Sequence, residues 1–104
     1  MLDRIRAAIS FAVGEGIRVA FFGVDSSRAD LEFVRAAYET AVEAGAAEVV
    51  VVDTLGIATP EAAAYLVNEV AERLDYEVPV HWHGHDDFGL ATAAAVAAVQ
   101  AGAT

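Results

Sequence analysis

The chain has 104 residues, sixteen acidic against six basic for a net charge of −10, and is 57% hydrophobic. That length suits one small domain, the apolar content supplies a core, and the acidity argues against a phosphate backbone, hence against nucleic acid, as partner. The lack of cysteine excludes disulfides and thiolate metal sites and is consistent with the cytoplasm, while the longest apolar run, Leu90–Val99, is too short to cross a bilayer.

Leu2–Val13 reads as an amphipathic helix ended near Gly14 or Gly16; Gly14, Glu15, Gly16 and Arg18 interrupt the apolar stretch too soon for a signal peptide. Ile17–Val24 follows as a first buried strand. Leu31, Val34, Tyr38, Ala41 and Val42 then recur at helical spacing, with Glu32, Arg35, Glu39 and Glu43 on the wet side and Gly45 as a left-handed stop. Glu48–Val52, four valines in a row after a glutamate, is the second strand. Thr59-Pro60-Glu61 reads as N-cap, N1 and N2 of a helix whose inner stripe is Ala63, Leu66, Val67, Val70 and Leu74. Val78–His83 is the third strand, and an alanine-rich helix over Gly89–Ala101 is ended by Gly102. The order αβαβαβα implies an α/β fold with parallel strands. Three such strands leave edges unpaired and one apolar face uncovered, so residues 1–104 are expected to be a piece of a larger (β/α) protein.

Each strand runs into polar residues at its C-terminal end: Asp25-Ser26-Ser27-Arg28, Asp53-Thr54-Leu55-Gly56, and His81-Trp82-His83-Gly84-His85-Asp86-Asp87. In parallel α/β folds that end is where active sites are built. On an extended chain His81, His83 and His85 share a face, and Asp87 continues the line. Neighbouring neutral imidazoles with carboxylates nearby suit a divalent cation such as Zn²⁺, Mn²⁺ or Mg²⁺. Asp25 and Asp53 are candidates for lining or supporting such a site, and Arg28 is expected to pair with Asp25 or Asp30. Trp82 and Phe88 are expected to pack. No nucleophile elbow and no phosphate-cradling glycine loop is present.

These residues carry a family resemblance. Asp53-Thr54-Leu55-Gly56 with Pro60, then His83-Gly84-His85-Asp86-Asp87-Phe88-Gly89-Leu90-Ala91, then Ala101-Gly102-Ala103, resemble the metal-dependent TIM barrels of isopropylmalate synthase, homocitrate synthase and hydroxymethylglutaryl-CoA lyase. Asp25-Ser26-Ser27-Arg28-Ala29-Asp30 resembles that group's Glu-Asp-x-x-Arg-x-Asp segment. The resemblance implies a (β/α)₈ barrel, of which this is about the fifth to seventh strands. It implies metal ligands at His83 and His85, with His81 one step deeper, and Thr54 beside the carboxylate of a 2-oxo acid. It further implies an acyl-CoA as second substrate, a Claisen-type condensation, and a homo-oligomer at full length. The family's third metal ligand, an aspartate beside a catalytic arginine on the first strand, has no counterpart here, and no residue is assigned as the base. Asp86 stands where the family commonly has Asn, and Val24 where it has Glu. Asp86, together with Ala94 in Ala91-Thr92-Ala93-Ala94 where the family commonly has Ala-x-Ala-Asn, leans towards the related biotin-dependent carboxyltransferases, whereas Val52 replaces the lysine those relatives carry. A lyase, an aldolase, a carboxyltransferase or a non-catalytic truncated barrel are the competing expectations.

Overall fold

The computed structural model describes Met1–Thr104. Its elements are α1 (Leu2–Gly14), β1 (Ala20–Gly23), a single 3₁₀ turn (Ser26–Arg28), α2 (Leu31–Glu43), β2 (Glu48–Asp53), α3 (Pro60–Arg73), β3 (Val80–Gly84) and α4 (Ala91–Gln100). The strands form one parallel sheet in the order β1-β2-β3. No helix is long and apolar enough to cross a membrane.

Strand pairing assigns the faces. Phe21, Val49 and Val80 stand in one row, and Gly23, Val51 and Trp82 in the next row on the same side. That side packs under the helices, where Val49, Val51 and Val80 join Val34, Tyr38, Val67, Val70 and Ala98 in the main core. The opposite side carries the row Phe22, Val50 and His81, then Val52 beside His83. There Val50 and Val52 of the middle strand are buried, while Phe22 on the edge strand is 52% exposed. In α4, Ala94 and Ala98 are the buried positions and belong to the same cluster as Ala63 and Val67 of α3. A second, small cluster of Ile9, Ala41 and Ala46 fastens α1 to α2.

The helix ends obey local chemistry. Thr59 Oγ1 accepts from the amide of Ala62 at 3.2 Å, with Pro60 at the first helical position, and Asp30 Oδ1 accepts from Phe33 N at 3.0 Å. Gly45 takes the left-handed conformation, with φ 109°, just past α2.

Three expectations shift. The first strand is shorter than Ile17–Val24, because as an edge strand it is held only where Glu48–Val51 lie opposite. The third begins at Val80, since Pro79 has no N–H to give to the ladder. The last helix starts at Ala91, where Asp86 Oδ1 accepts the Ala91 amide at 3.0 Å, so Gly89 belongs to the preceding turn. That turn also overturns the reading of Phe88 as a packing residue: it is 69% exposed. Trp82 packs on the main core as expected, with its Nε1 buried and unpartnered.

Candidate metal and substrate site

The C-terminal ends of the strands bring three loops together. Val52 lies opposite His83 and Asp53 opposite Gly84, so the second and third polar segments leave the sheet side by side. The first is tied in by two cross-loop bonds. Thr54 Oγ1 accepts from the amide of Asp25 at 2.8 Å, and Ser27 Oγ donates to Asp53 Oδ1 at 2.6 Å. Because the Thr54 hydroxyl accepts that amide, its own proton stays available to a ligand.

His83 and His85 are both solvent-exposed, and their Nε2 atoms lie 3.3 Å apart. Two imidazole nitrogens on one tetrahedral Zn²⁺, each at about 2.0–2.1 Å, stand about 3.3–3.4 Å from one another. The same spacing also fits an N–H···N bond while no cation is bound. His85 is oriented from behind: its Nδ1 lies 2.5 Å from the carbonyl oxygen of Thr54. A carbonyl can only accept, so Nδ1 carries the proton, and in the neutral ring Nε2 is left with a free lone pair. Metal-binding histidines are commonly fixed in this way. The pair therefore fits a divalent cation, but it supplies only two donors, and no third histidine or carboxylate converges on them.

The other expected residues take different places. His81 shares the open side of the sheet with His83 but is engaged at both nitrogens: Nδ1 donates to the carbonyl of Thr104 at 2.7 Å, and Nε2 faces Glu48 Oε2 at 3.1 Å. Asp25 sits at φ 65° and takes Arg28 as partner, with Nε and Nη2 within 2.5–3.1 Å of its two oxygens. The hydrogen-bonding guanidinium lowers the Asp25 carboxyl below its ordinary value. Asp87 is exposed in the turn before α4.

Asp53 is 2% exposed and stands on the helix side of the sheet, in parity with Val49 and Val51. Besides Ser27, it accepts from the amides of Ile57 at 3.3 Å and Ala58 at 2.9 Å, fastening the loop that carries Thr54. Gly56 turns in this loop at φ 66°, and a Cβ there would lie 2.5 Å from the carbonyl oxygen of His85. Close passage of the two loops therefore requires glycine. Sequence reading missed Ser27, Glu48 and the Thr54 carbonyl.

The family model described as HMGL-like matches residues 1–104. The chain belongs to the HMGL-like family. It is 43% identical to the 2-isopropylmalate synthase of Methanocaldococcus jannaschii over 99% of its own length and 20% of that protein. It is 41% identical to the homocitrate synthase AksA of Methanopyrus kandleri, over 99% of this chain and 25% of that one. It thus spans about a fifth to a quarter of these relatives. Among solved structures, the HMG-CoA lyase of Brucella melitensis superposes with a TM-score of 0.85 at 20% identity, over 98% of this chain and 38% of that one. The carboxyl transferase domain of Rhizobium etli pyruvate carboxylase gives 0.77 at 26% identity, over 99% of this chain and 18% of that one. The three-stranded sheet and its helices are accordingly a portion of a (β/α)₈ TIM barrel.

Proposed function

We propose that this HMGL-like segment furnishes two metal ligands, His83 and His85, and a carboxylate-binding hydroxyl, Thr54, to a carbon–carbon bond-forming acyltransferase of the isopropylmalate and homocitrate synthase type. The observation that carries the reading is the imidazole pair, with Nε2 atoms 3.3 Å apart beside Thr54. The substrates would be a 2-oxo acid and an acyl-CoA, in a cytoplasmic, homo-oligomeric protein. A bound divalent cation supplies Lewis-acid polarisation of the keto group and tolerance for the negative charge that develops on it. His83 and His85 present their Nε2 lone pairs to the cation, and the Thr54 hydroxyl donates its free proton to the acid's carboxylate. A base from the rest of the barrel would remove a proton from the α-carbon of the acyl-CoA; the enolate carbon then adds to the keto carbon, the carbonyl electron pair moves to oxygen, which takes up a proton, and water cleaves the thioester to a carboxylic acid and the CoA thiol.

The test is a chimera in which these residues replace the matching segment of the M. jannaschii 2-isopropylmalate synthase. Release of CoA thiol that requires both a 2-oxo acid and a divalent metal is expected. Loss of that activity in a folded, metal-loaded chimera would defeat the proposal. The 104-residue chain alone, with two donors, should bind Zn²⁺ weakly and release no thiol.

A second reading, a biotin-dependent carboxyltransferase, draws on the likeness to the pyruvate carboxylase domain and on Asp86 after the second histidine. Against it, Val52 presents a buried isopropyl group where those relatives carry an amine. A 2-oxo acid-dependent loss of carboxyl from carboxybiotin in the corresponding chimera would favour it.

A further inference from the structure

Asp53 is a buried carboxylate, yet no lysine, arginine or histidine touches it; its partners are one hydroxyl and two backbone amides. Burying an ionised carboxylate is unfavourable unless hydrogen bonds replace the lost water, and Asp53 has three. All three end on the loops that bracket Thr54: Ser27 on one side, Ile57 and Ala58 on the other. The backbone adds to this clamp, since the Asp53 carbonyl accepts from the amides of Gly56 and His85, each at 3.3 Å. Between these anchors the peptide after Thr54 is left with one orientation, its carbonyl pointing at His85 Nδ1.

We propose that Asp53 is a positioning residue for His85: with Ser27 it holds the Thr54 carbonyl as the acceptor that keeps the His85 proton on Nδ1 and the lone pair on Nε2. The proposal rests on the reading of His85 as a ligand only for its consequence, since the tautomer exists without metal. An imidazole freed from such an acceptor redistributes its proton between the two nitrogens, and each molecule protonated at Nε2 is unable to ligate there. Ser27 acts through Asp53, and Asp53 through the Thr54 peptide; neither needs to touch the cation.

The test reads the ring nitrogens directly. In the 104-residue chain with ¹⁵N-labelled histidine, metal-free and at a pH where imidazoles are neutral, long-range proton–nitrogen spectra should show His85 protonated at Nδ1. Asp53→Asn puts an NH₂ where an acceptor is needed and should give a mixture of tautomers. Ser27→Ala should shift the mixture less, and Ser27→Thr should restore the wild-type ring. Amide dispersion reports whether each variant is folded; if Asp53→Asn unfolds, the Ser27 pair decides. Zn²⁺ affinity in the chimera should fall by about 10- to 100-fold for Asp53→Asn, the usual effect of removing an outer-shell partner. A wild-type His85 protonated at Nε2, or folded Ser27→Ala and Asp53→Asn proteins with an unchanged tautomer, would overturn the proposal. Failure of the metal reading looks different: the tautomer behaves as stated, but Zn²⁺ leaves the His83 and His85 ring nitrogens unmoved.

Discussion

His81 and His83 occupy the same side of the same strand, two residues apart, and the structure treats them in opposite ways. Around His81 the sheet supplies a partner for each nitrogen, Thr104 on one and Glu48 on the other, and Glu48 is in turn 3.8 Å from Arg18. Around His83 and His85 it supplies one acceptor, behind His85, and leaves the Nε2 atoms facing each other. A saturated imidazole has no lone pair to offer without breaking a bond, whereas a half-saturated one is aimed. The difference comes from depth along the strand. His81 lies opposite Val50 in mid-ladder, His83 opposite Val52 one residue before the strand ends at Gly84, and His85 just beyond that end.

The sharpest break of this comparison is substitution of the three rings in the chimeric barrel. His83→Ala and His85→Ala should each abolish tight Zn²⁺ binding in calorimetry, and His81→Ala should leave it intact while lowering thermal stability. Loss of metal with His81→Ala and its retention with His85→Ala would move the site one His-x-His step inward, to His81 and His83.

Gly56→Ala sharpens the comparison without touching a ring. The new Cβ meets the His85 carbonyl oxygen at 2.5 Å on a backbone at φ 66°. A cost of roughly 2–4 kcal/mol is expected from overlap plus left-handed strain. Because the overlap falls where the two loops meet, metal affinity should drop together with chemical stability, with no change at His81. Urea titration and calorimetry on the same protein would check both.

Much of this was legible in the sequence. The valine run fixed β2, Thr59-Pro60 and Gly45 marked helix boundaries, and alternation put His83 on a face with His81. Spacing offered Asp25 or Asp30 as the partner of Arg28, and the structure takes Asp25. Backbone acceptors were illegible: that the Thr54 carbonyl meets His85 depends on how two loops cross, and no side chain advertises it. The orientation of Asp53 lay hidden for another reason. Its place after four valines suggested a site-facing acid, but parity with Val49 and Val51 turns it towards the helices, where loop amides receive it. The edges of β1 were misjudged because Ile17 looks like a strand residue whether or not a partner lies opposite.

Tyr38 extends the contrast to the helix side. Its hydroxyl donates to the Val50 carbonyl at 2.8 Å and lies 3.0 Å from Ser26 Oγ, which itself donates to the Gly23 carbonyl at 2.6 Å. Tyr38→Phe should cost about 1–3 kcal/mol by leaving the buried Val50 carbonyl short of a donor. Burial pushes the Tyr38 phenol up to about 12, so the folded chain holds this proton above the ordinary value of 10.0. Its contribution is therefore complete below about pH 10 and fades as pH rises towards 12, because the unfolded phenol ionises first. That fraction of the alkaline destabilisation should be missing from Tyr38→Phe, and the His85 tautomer should be unaltered.

The smallest effect is the most discriminating. Thr59 lies in the same loop as Thr54 and Gly56, but its hydroxyl serves only the amide of Ala62 at the start of α3. Thr59→Ala should cost about 1 kcal/mol, the usual loss for an N-cap, through fraying of the first turn of the helix. If loop stability in general set the histidine geometry, this change would disturb the His85 ring in proportion to its cost. If the clamp through Asp53 sets it, the ring is insulated, because Ile57 and Ala58 are fastened to Asp53 before the chain reaches Thr59. The expected outcome is a lower melting temperature with the His85 nitrogen signals and the Zn²⁺ affinity of the wild type. A tautomer shift in Thr59→Ala as large as that in Ser27→Ala would mean that the aim of His85 reflects the loop as a whole, with no special part for Asp53.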